Sequence, residues 1–469
     1  MEEEEQYHTA AEGGDPFAMT CLAWLLQERE DFSGAEQWLR RASDGGYGEA
    51  MMRLGGLLKD RGEFAEAERW LRKAADLGHA GAAGAVGFML QERDDLVGAQ
   101  EWYRAAANRG DAFAMWKLGL LQQHRGCPQE GQQWLQRAAD CAGDIQVQCE
   151  AIRDLALLAR QRDDATEAER LLRKAVALVA ETDEDHGKEA AALEADLLTL
   201  LASVLQERGE SVEAETLYRR AAGAGNTAAM ISLSEMMEHQ ERSAEAGEWL
   251  RRGSEAGDVR AMLLLASLLM EWGDFAEAEP WCRRAAEAGV PMAMDLLGRL
   301  LQRREDFAEA EQWYREAAES RVQSSMVRLA YLLEQRGALA EAQQWYAKAA
   351  AAGEDLAMVK AGALAEKQGD ADDAERWYLQ AARAGNVFGM FMVGRLASNR
   401  GDLEEAEMWL RRAAAAGSAN AMAVLGLVLA VQGRVADGEQ WCRKAVDAGE
   451  ANALVDLKAV LEAQRGFGH

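Results

Sequence analysis

An all-α solenoid of paired helices is the fold class this sequence predicts, and three observations predict it. Tryptophan recurs every 32 residues, at Trp38, Trp70, Trp102 and Trp134, and again from Trp249 through Trp281, Trp313, Trp345, Trp377 and Trp409 to Trp441. Within each period, apolar residues fall at spacings of three and four in two separate runs, the pattern of one-faced helices. Gly-Asp pairs punctuate the runs, stopping one helix and starting the next. Each helix is about 12 residues, or about 18 Å, too short to be stable alone, so each must bury its face against its neighbours.

The elements follow in chain order. Residues 1–15 hold a charged start, Met1-Glu2-Glu3-Glu4-Glu5, and then Gln6 to Gly14, which fits the second helix of a missing unit with Tyr7 and Ala10 facing inward. Residues 16–145 hold repeats 1–4. In the divergent repeat 5, residues 146–194, Leu171 replaces the tryptophan; Leu217 does so in the next unit, and the spacings stretch to 37 and 46. Leu171 to Val179 stays apolar past the usual glycine stop, and Lys188 to Leu201 starts early. A longer helix pair around the acidic turn Asp183-Glu184-Asp185-His186-Gly187 is expected, with a local change of superhelical pitch dividing the array near 15–145 and 190–469. Residues 195–450 hold repeats 6–13. In residues 451–469, Ala451 to Gln464 fits the first helix of a further unit, before the polar tail Arg465-Gly466-Phe467-Gly468-His469. Thirteen units and two half-units make about 28 helices.

One unit shows the logic. After Gly257-Asp258, the residues Ala261, Met262, Leu265, Leu268 and Leu269 share a helix face. Gly273-Asp274 resets the chain. Phe275, Ala278, Cys282 and Ala285 then share a face of the second helix, which ends at Gly289. The recurrent tryptophan reads as a packing element, because a fixed phase is what architecture demands. Glu36/Arg40, Glu68/Arg72, Glu279/Arg283, Glu311/Arg315 and Glu407/Arg411 are four apart and read as helix-surface support rather than acid/base pairs.

Composition narrows the function. Of 469 residues, 49% are hydrophobic, enough for a core. Lys plus Arg number 52 against 80 Asp plus Glu, a net charge of -28, which speaks against nucleic acid and anionic membranes as partners. The longest apolar stretch, Ala421 to Val431, is too short to span a bilayer, and the N-terminus lacks the basic and apolar regions of a signal peptide. The six cysteines form no CxxC pair, which suits a reducing cytoplasm, and Cys282 and Cys442 read as small core residues. No Walker A, HExxH or GxSxG motif is present. The Asp183–Gly187 run has its glycine one residue early for a calcium loop and reads as a solvated turn. No catalytic residue, cofactor or metal site is expected.

Two segments carry a resemblance. Gly110-Asp111-Ala112-Phe113-Ala114-Met115-Trp116-Lys117-Leu118-Gly119 and Glu309-Ala310-Glu311-Gln312-Trp313-Tyr314-Arg315-Glu316-Ala317-Ala318 resemble the two helices of the Sel1-like subclass of tetratricopeptide repeats. The tight turn between helices departs from Sel1-like units, whose loop is usually longer. The resemblance covers essentially the whole chain. It implies a right-handed superhelix whose first helices line a concave groove, and an adaptor or scaffold role with protein or peptide partners.

On that implied wall, irregular residues are the informative ones. Trp24 and Trp116 lie off the tryptophan column in first helices, with Phe17, Phe113, Tyr331, Phe388 and Phe391 at similar variable positions. Glu235, Glu238, Glu271, Glu334 and Glu366 make the groove acidic, while Arg299, Arg303 and Arg395 interrupt it and are suited to hold a carboxylate. Two stretches are therefore expected to bind the partner: Phe17, Thr20, Trp24, Phe113 and Trp116, and Arg299, Tyr331, Phe388, Phe391 and Arg395. The expected function is a non-enzymatic scaffold binding a basic peptide or protein segment. The alternative is a sensor or regulatory module of a larger or neighbouring effector.

Overall fold

The computed structural model describes residues 2–181 and 187–466, and among them 28 α-helices alternate as first and second helices, with no strand. The acidic turn at Asp183–His186 lies outside the described residues. The helices belong to two compact units, Met1–Trp249 and Leu250–His469.

Local chemistry sets each helix pair. Before the first helix Val259–Trp272, the Asp258 carboxylate accepts the Ala261 amide at 2.9 Å; before the second, Phe275–Glu287, Asp274 accepts the Glu277 amide at 3.2 Å. Each carboxylate satisfies an amide that the helix leaves unpaired. Gly273 joins the two helices at φ 82°, a left-handed conformation that costs glycine little. One period on, Glu305 occupies the same conformation at φ 66° without that freedom. Ala261, Met262, Leu265, Leu268 and Leu269 are buried as the spacing predicts, and so are Ala278, Cys282 and Ala285; Phe275 is only half-buried.

The residue after the tryptophan is what fills the space within a pair. Leu39, Leu135, Tyr103, Tyr314 and Cys442 at this position are fully buried. Opposite them the first helix carries a glycine where there is no room for more. A Cβ on Gly298 would lie 2.6 Å from Tyr314 Cε1, and one on Gly119 would lie 2.7 Å from Leu135 Cγ. The tyrosines reach across to the end of the first helix: Tyr103 donates its hydroxyl to Gln91 and Tyr314 to Gln302, both at 2.9 Å, and Tyr378 to Glu366 at 3.1 Å. Burial pushes these phenols well above their ordinary pKa.

The tryptophans themselves lie at the edge of the core. Trp38, Trp70 and Trp102 are half-buried against it, and Trp134, Trp345 and Trp409 are buried. In several units a cation three residues on covers the ring: Lys73 Nζ is 4.0 Å from the Trp70 ring, Lys348 is 3.8 Å from Trp345, and the Arg137 guanidinium is 4.6 Å from Trp134. The packing role read from the column is what the structure contains, with a cation lid added.

A ladder of ion pairs runs between successive second helices. All five Glu-to-Arg pairs expected within helices form, at 2.7 to 3.3 Å. The same arginines reach the next unit: Arg40 to Glu66, Arg283 to Glu309 and Arg315 to Glu341, each at 2.6 Å. The same glutamates take a second arginine from beyond the following first helix, as Glu311 does from Arg336 at 2.9 Å and Glu407 from Arg434 at 2.8 Å. Hydrogen bonds from their arginines hold Glu36, Glu66, Glu309 and Glu341 below the usual carboxylate range.

Two sequence expectations about the stretched region need correction. The boundary drawn at 194/195 falls inside the helix Gly187–Glu207, because Ala190 and Leu193 pack on the same core as Ala195, Leu198 and Leu201. The chain also does not divide at the stretched pair. Ala165–Ala180 and Gly187–Glu207 are indeed long, 16 and 21 residues. Their side chains share one core that runs from Leu135 to Ala246, and the division between compact units comes later, at Trp249/Leu250.

Candidate functional site

The first helices leave large aromatic side chains in solvent. Phe17 and Trp24 on Pro16–Glu28 are 57% and 50% exposed, and Tyr331 and Phe388 are 41% and 48% exposed. Seven residues apart, Phe17 and Trp24 fall on one helix face. With Thr20, Cys21, Tyr47 and Arg53 they line a cavity of about 510 Å³. Thr20 is buried there, its hydroxyl donating to the Pro16 carbonyl at 2.8 Å, and Arg53 pairs with Glu49 at 2.9 Å. Burial raises the Cys21 thiol above its ordinary pKa.

Phe113 and Trp116 do not join this cavity. They sit on Ala112–His124, half-buried and edge to face at 5.9 Å, with Phe88 on the preceding first helix 6.3 Å from Phe113. The Trp116 indole donates to Asp154 at 2.7 Å on the next first helix, and Lys117 Nζ lies 3.9 Å from the Trp116 ring. Burial lowers the Lys117 pKa. Trp116 thus ties first helices together as well as facing outward.

The C-terminal stretch also separates. Two first helices, Gln323–Gln335 and Asp355–Gln368, intervene between Arg299 and the Phe388/Phe391/Arg395 group. Phe388 and Phe391 pack 6.0 Å apart, with Phe391 half-buried against the neighbouring cores. Arg395 donates to Glu366 at 2.9 Å, so it is already committed to a carboxylate of this chain. Glu334 is engaged by Lys367 and by the Tyr346 hydroxyl, whereas Glu235, Glu238 and Glu271 are exposed.

Arg299 and Arg303 meet a third arginine that sequence reasoning missed. They line, with Arg328, Glu271 and Phe275, a cavity of about 740 Å³. The Arg303 guanidinium stacks 4.0 Å from the Phe275 ring. Beneath the cavity, buried Asp295 accepts Ser325 at 2.5 Å and Ser324 at 3.2 Å, with Arg328 Nε 3.6 Å away. A signal for this did exist: the period aligns Asp295 with Leu263, Val327, Val359 and Phe391, an acid in an apolar column.

Among the described residues no helix is long and apolar enough to cross a membrane. Tetratricopeptide repeat models match residues 48–78, 195–220, 259–288, 292–324 and 391–453. The Sel1 repeat model matches residues 25–47, 85–111, 112–142, 323–354 and 360–386. No curated protein matches the chain. Among solved structures, the human IFIT1 dimer with PPP-AAAA is 14% identical, covering 79% of this chain and 90% of that one, with a TM-score of 0.36. Yeast Tom70 is 13% identical over 90% of this chain and 97% of its own, at a TM-score of 0.34. Pseudomonas aeruginosa pilF is 21% identical over 47% of this chain and 97% of its own, at 0.37.

Proposed function

We propose, for a chain that belongs to the tetratricopeptide and Sel1-like repeat proteins, a non-enzymatic scaffold role in the cytoplasm: it holds a basic peptide or protein segment against the exposed face of its first helices. The observation that carries this reading is the exposure of Phe17, Trp24, Tyr331 and Phe388. The repeated tryptophans of second helices pack against the core. The aromatics exposed there, Phe32, Phe64 and Phe307, each stand at the first position of a helix, whereas Phe17 and Trp24 pair along one helix face and line one cavity. Exposed aromatics of this kind are the anchors on which binding energy concentrates. The net charge of -28, with exposed glutamates at Glu235, Glu238 and Glu271, favours a positively charged segment and steers its encounter. The matched family models describe repeats, which supports a binding role rather than catalysis.

The test is selection from a displayed peptide library at low and at physiological salt. Basic sequences carrying an apolar anchor should be enriched. Trp24→Ala and Phe388→Ala should each weaken the selected peptides by about 1–4 kcal/mol, with the melting temperature unchanged. Enrichment of acidic sequences, or binding indifferent to both substitutions, would overturn the reading.

A further inference from the structure

We infer that the cavity between Val259–Trp272, Pro291–Arg303 and Gln323–Gln335 in the second unit binds a phosphoryl group, the kind borne by a phosphorylated side chain of a partner peptide. The inference rests on the scaffold reading only for the existence of a partner segment. Its chemistry comes from Arg299, Arg303 and Arg328, which line one cavity of about 740 Å³ in which Glu271 is the single acid. Elsewhere in this acidic chain the arginines are commonly spent on glutamates. These three keep donors in hand. Arg299 is exposed and makes no hydrogen bond or ion pair among the described residues. Arg303 is held over Phe275 with no carboxylate partner. Arg328 forms an ion pair with Asp295, Nε to Oδ1 at 3.6 Å, but that oxygen is already taken by two serine hydroxyls and the buried Nε makes no hydrogen bond.

Arg299 and Arg303, without carboxylate partners, and Arg328, balanced only by Asp295, crowd one cavity, and an anion entering it relieves their repulsion. A carboxylate offers two oxygens, which a single guanidinium fork satisfies. A phosphate monoester offers three acceptor oxygens and nearly two charges, which matches three forks. A nucleic acid fits poorly. Its chain of phosphates would continue past Glu271 toward the first-helix carboxylates Glu334 and Glu366, in a protein of charge -28 that has few cations to displace its counterions. An isolated phosphoryl group on an otherwise basic peptide meets neither objection.

The full-length chain is titrated with inorganic phosphate, phosphoserine and a basic peptide containing one phosphoserine, followed by calorimetry and phosphorus NMR. Saturable binding is expected for all three, with the unphosphorylated peptide weaker. Arg299→Gln and Arg303→Gln should each weaken phosphoserine binding by about tenfold or more. Arg336→Gln, which removes the same charge from the ion-pair ladder, should leave it unchanged. Circular dichroism confirms that each variant is folded, and exposed, unpaired Arg299 is the substitution least able to disturb folding. Absence of saturation at millimolar phosphate, equal affinity in Arg299→Gln, equal affinity for acetate, or preference for a short RNA over the phosphopeptide would each overturn the assignment. Since phosphate and phosphoserine need no peptide, this outcome is independent of whether library selection succeeds.

Discussion

Gly298 and Gly56 are both glycines inside first helices, yet substitution should act on them in opposite directions. A methyl group at Gly298 would press on the buried Tyr314 ring, so Gly298→Ala is expected to cost about 1–3 kcal/mol, the range for overpacking a filled core. Nothing lies within 4 Å of a Cβ on Gly56, so Gly56→Ala should instead gain about 0.5–1 kcal/mol by removing glycine's helix penalty. Paired thermal melts of the two variants check both signs. At this scale the sequence is uneven. Its tryptophan column is conspicuous because one residue type repeats. The column that fills each pair is disguised, because Leu, Tyr and Cys share it and no one residue type repeats. Cys282 and Cys442 were legible as core residues, and both are fully buried. Arg328 was not legible as a site residue, since only the tertiary stacking of three first helices brings it beside Arg299 and Arg303.

Helices were the most legible elements, since Gly-Asp punctuation both stops and starts them. Asp111 is such a start, accepting the Ala114 amide at 2.7 Å. Asp111→Ala should destabilise the chain by about 1 kcal/mol, seen as a lower midpoint in urea, while Asp111→Asn should restore most of it. The ladder between second helices predicts a pH dependence. Glu36, Glu66, Glu309 and Glu341 have pKa values lowered by their arginines, so in the unfolded chain, near about 4.3, they bind protons more readily than in the fold. Their stabilisation is present above that value and lost as pH falls through the lower folded values. Melting temperature should therefore stay level from neutral pH down to about 5 and drop below about 4.3. Replacing Arg40, Arg283 and Arg315 together with Gln should flatten the drop. A drop unaffected by that triple change would remove the ladder as its cause. Where the element reading failed, at 194/195, a fixed period had been imposed on a helix that begins at Gly187 and keeps its apolar face throughout.

At the scale of the whole molecule, period and composition sufficed for the architecture, because every unit restates the same pattern and errors in one are corrected by the others. The candidate site was less legible for the same reason. Binding residues are the ones that break the pattern, and a broken pattern does not reveal which irregular residues meet in space. Phe17 and Trp24 share a cavity, while Phe113 and Trp116 lie apart from it and stitch first helices together. Net charge, being a sum, was readable outright, and it predicts that binding of a basic segment weakens as salt rises, with screening over about 8–10 Å at ordinary ionic strength. Affinity constant between low and high salt would leave the aromatic anchors as the whole of the interaction.

The ion-pair ladder makes this protein a chain of interchangeable links. Arg283 meets Glu309, and Arg315 meets Glu341, at one and the same spacing. Excising residues 289–320, one full period, would bring Glu341 to the place that Glu309 now holds opposite Arg283, and Arg336 to the place of Arg304 beside Glu279. Genetic gain or loss of whole periods is therefore a silent edit to the rungs, and the length of such proteins is free to drift in whole-period steps. A cut shorter by one helical turn, about 3.6 residues, would leave every rung beyond it out of step. The whole-period deletion should melt cooperatively with unchanged helicity per residue, and the shorter cut should not. Equal melting of the two would mean that the rungs set no register.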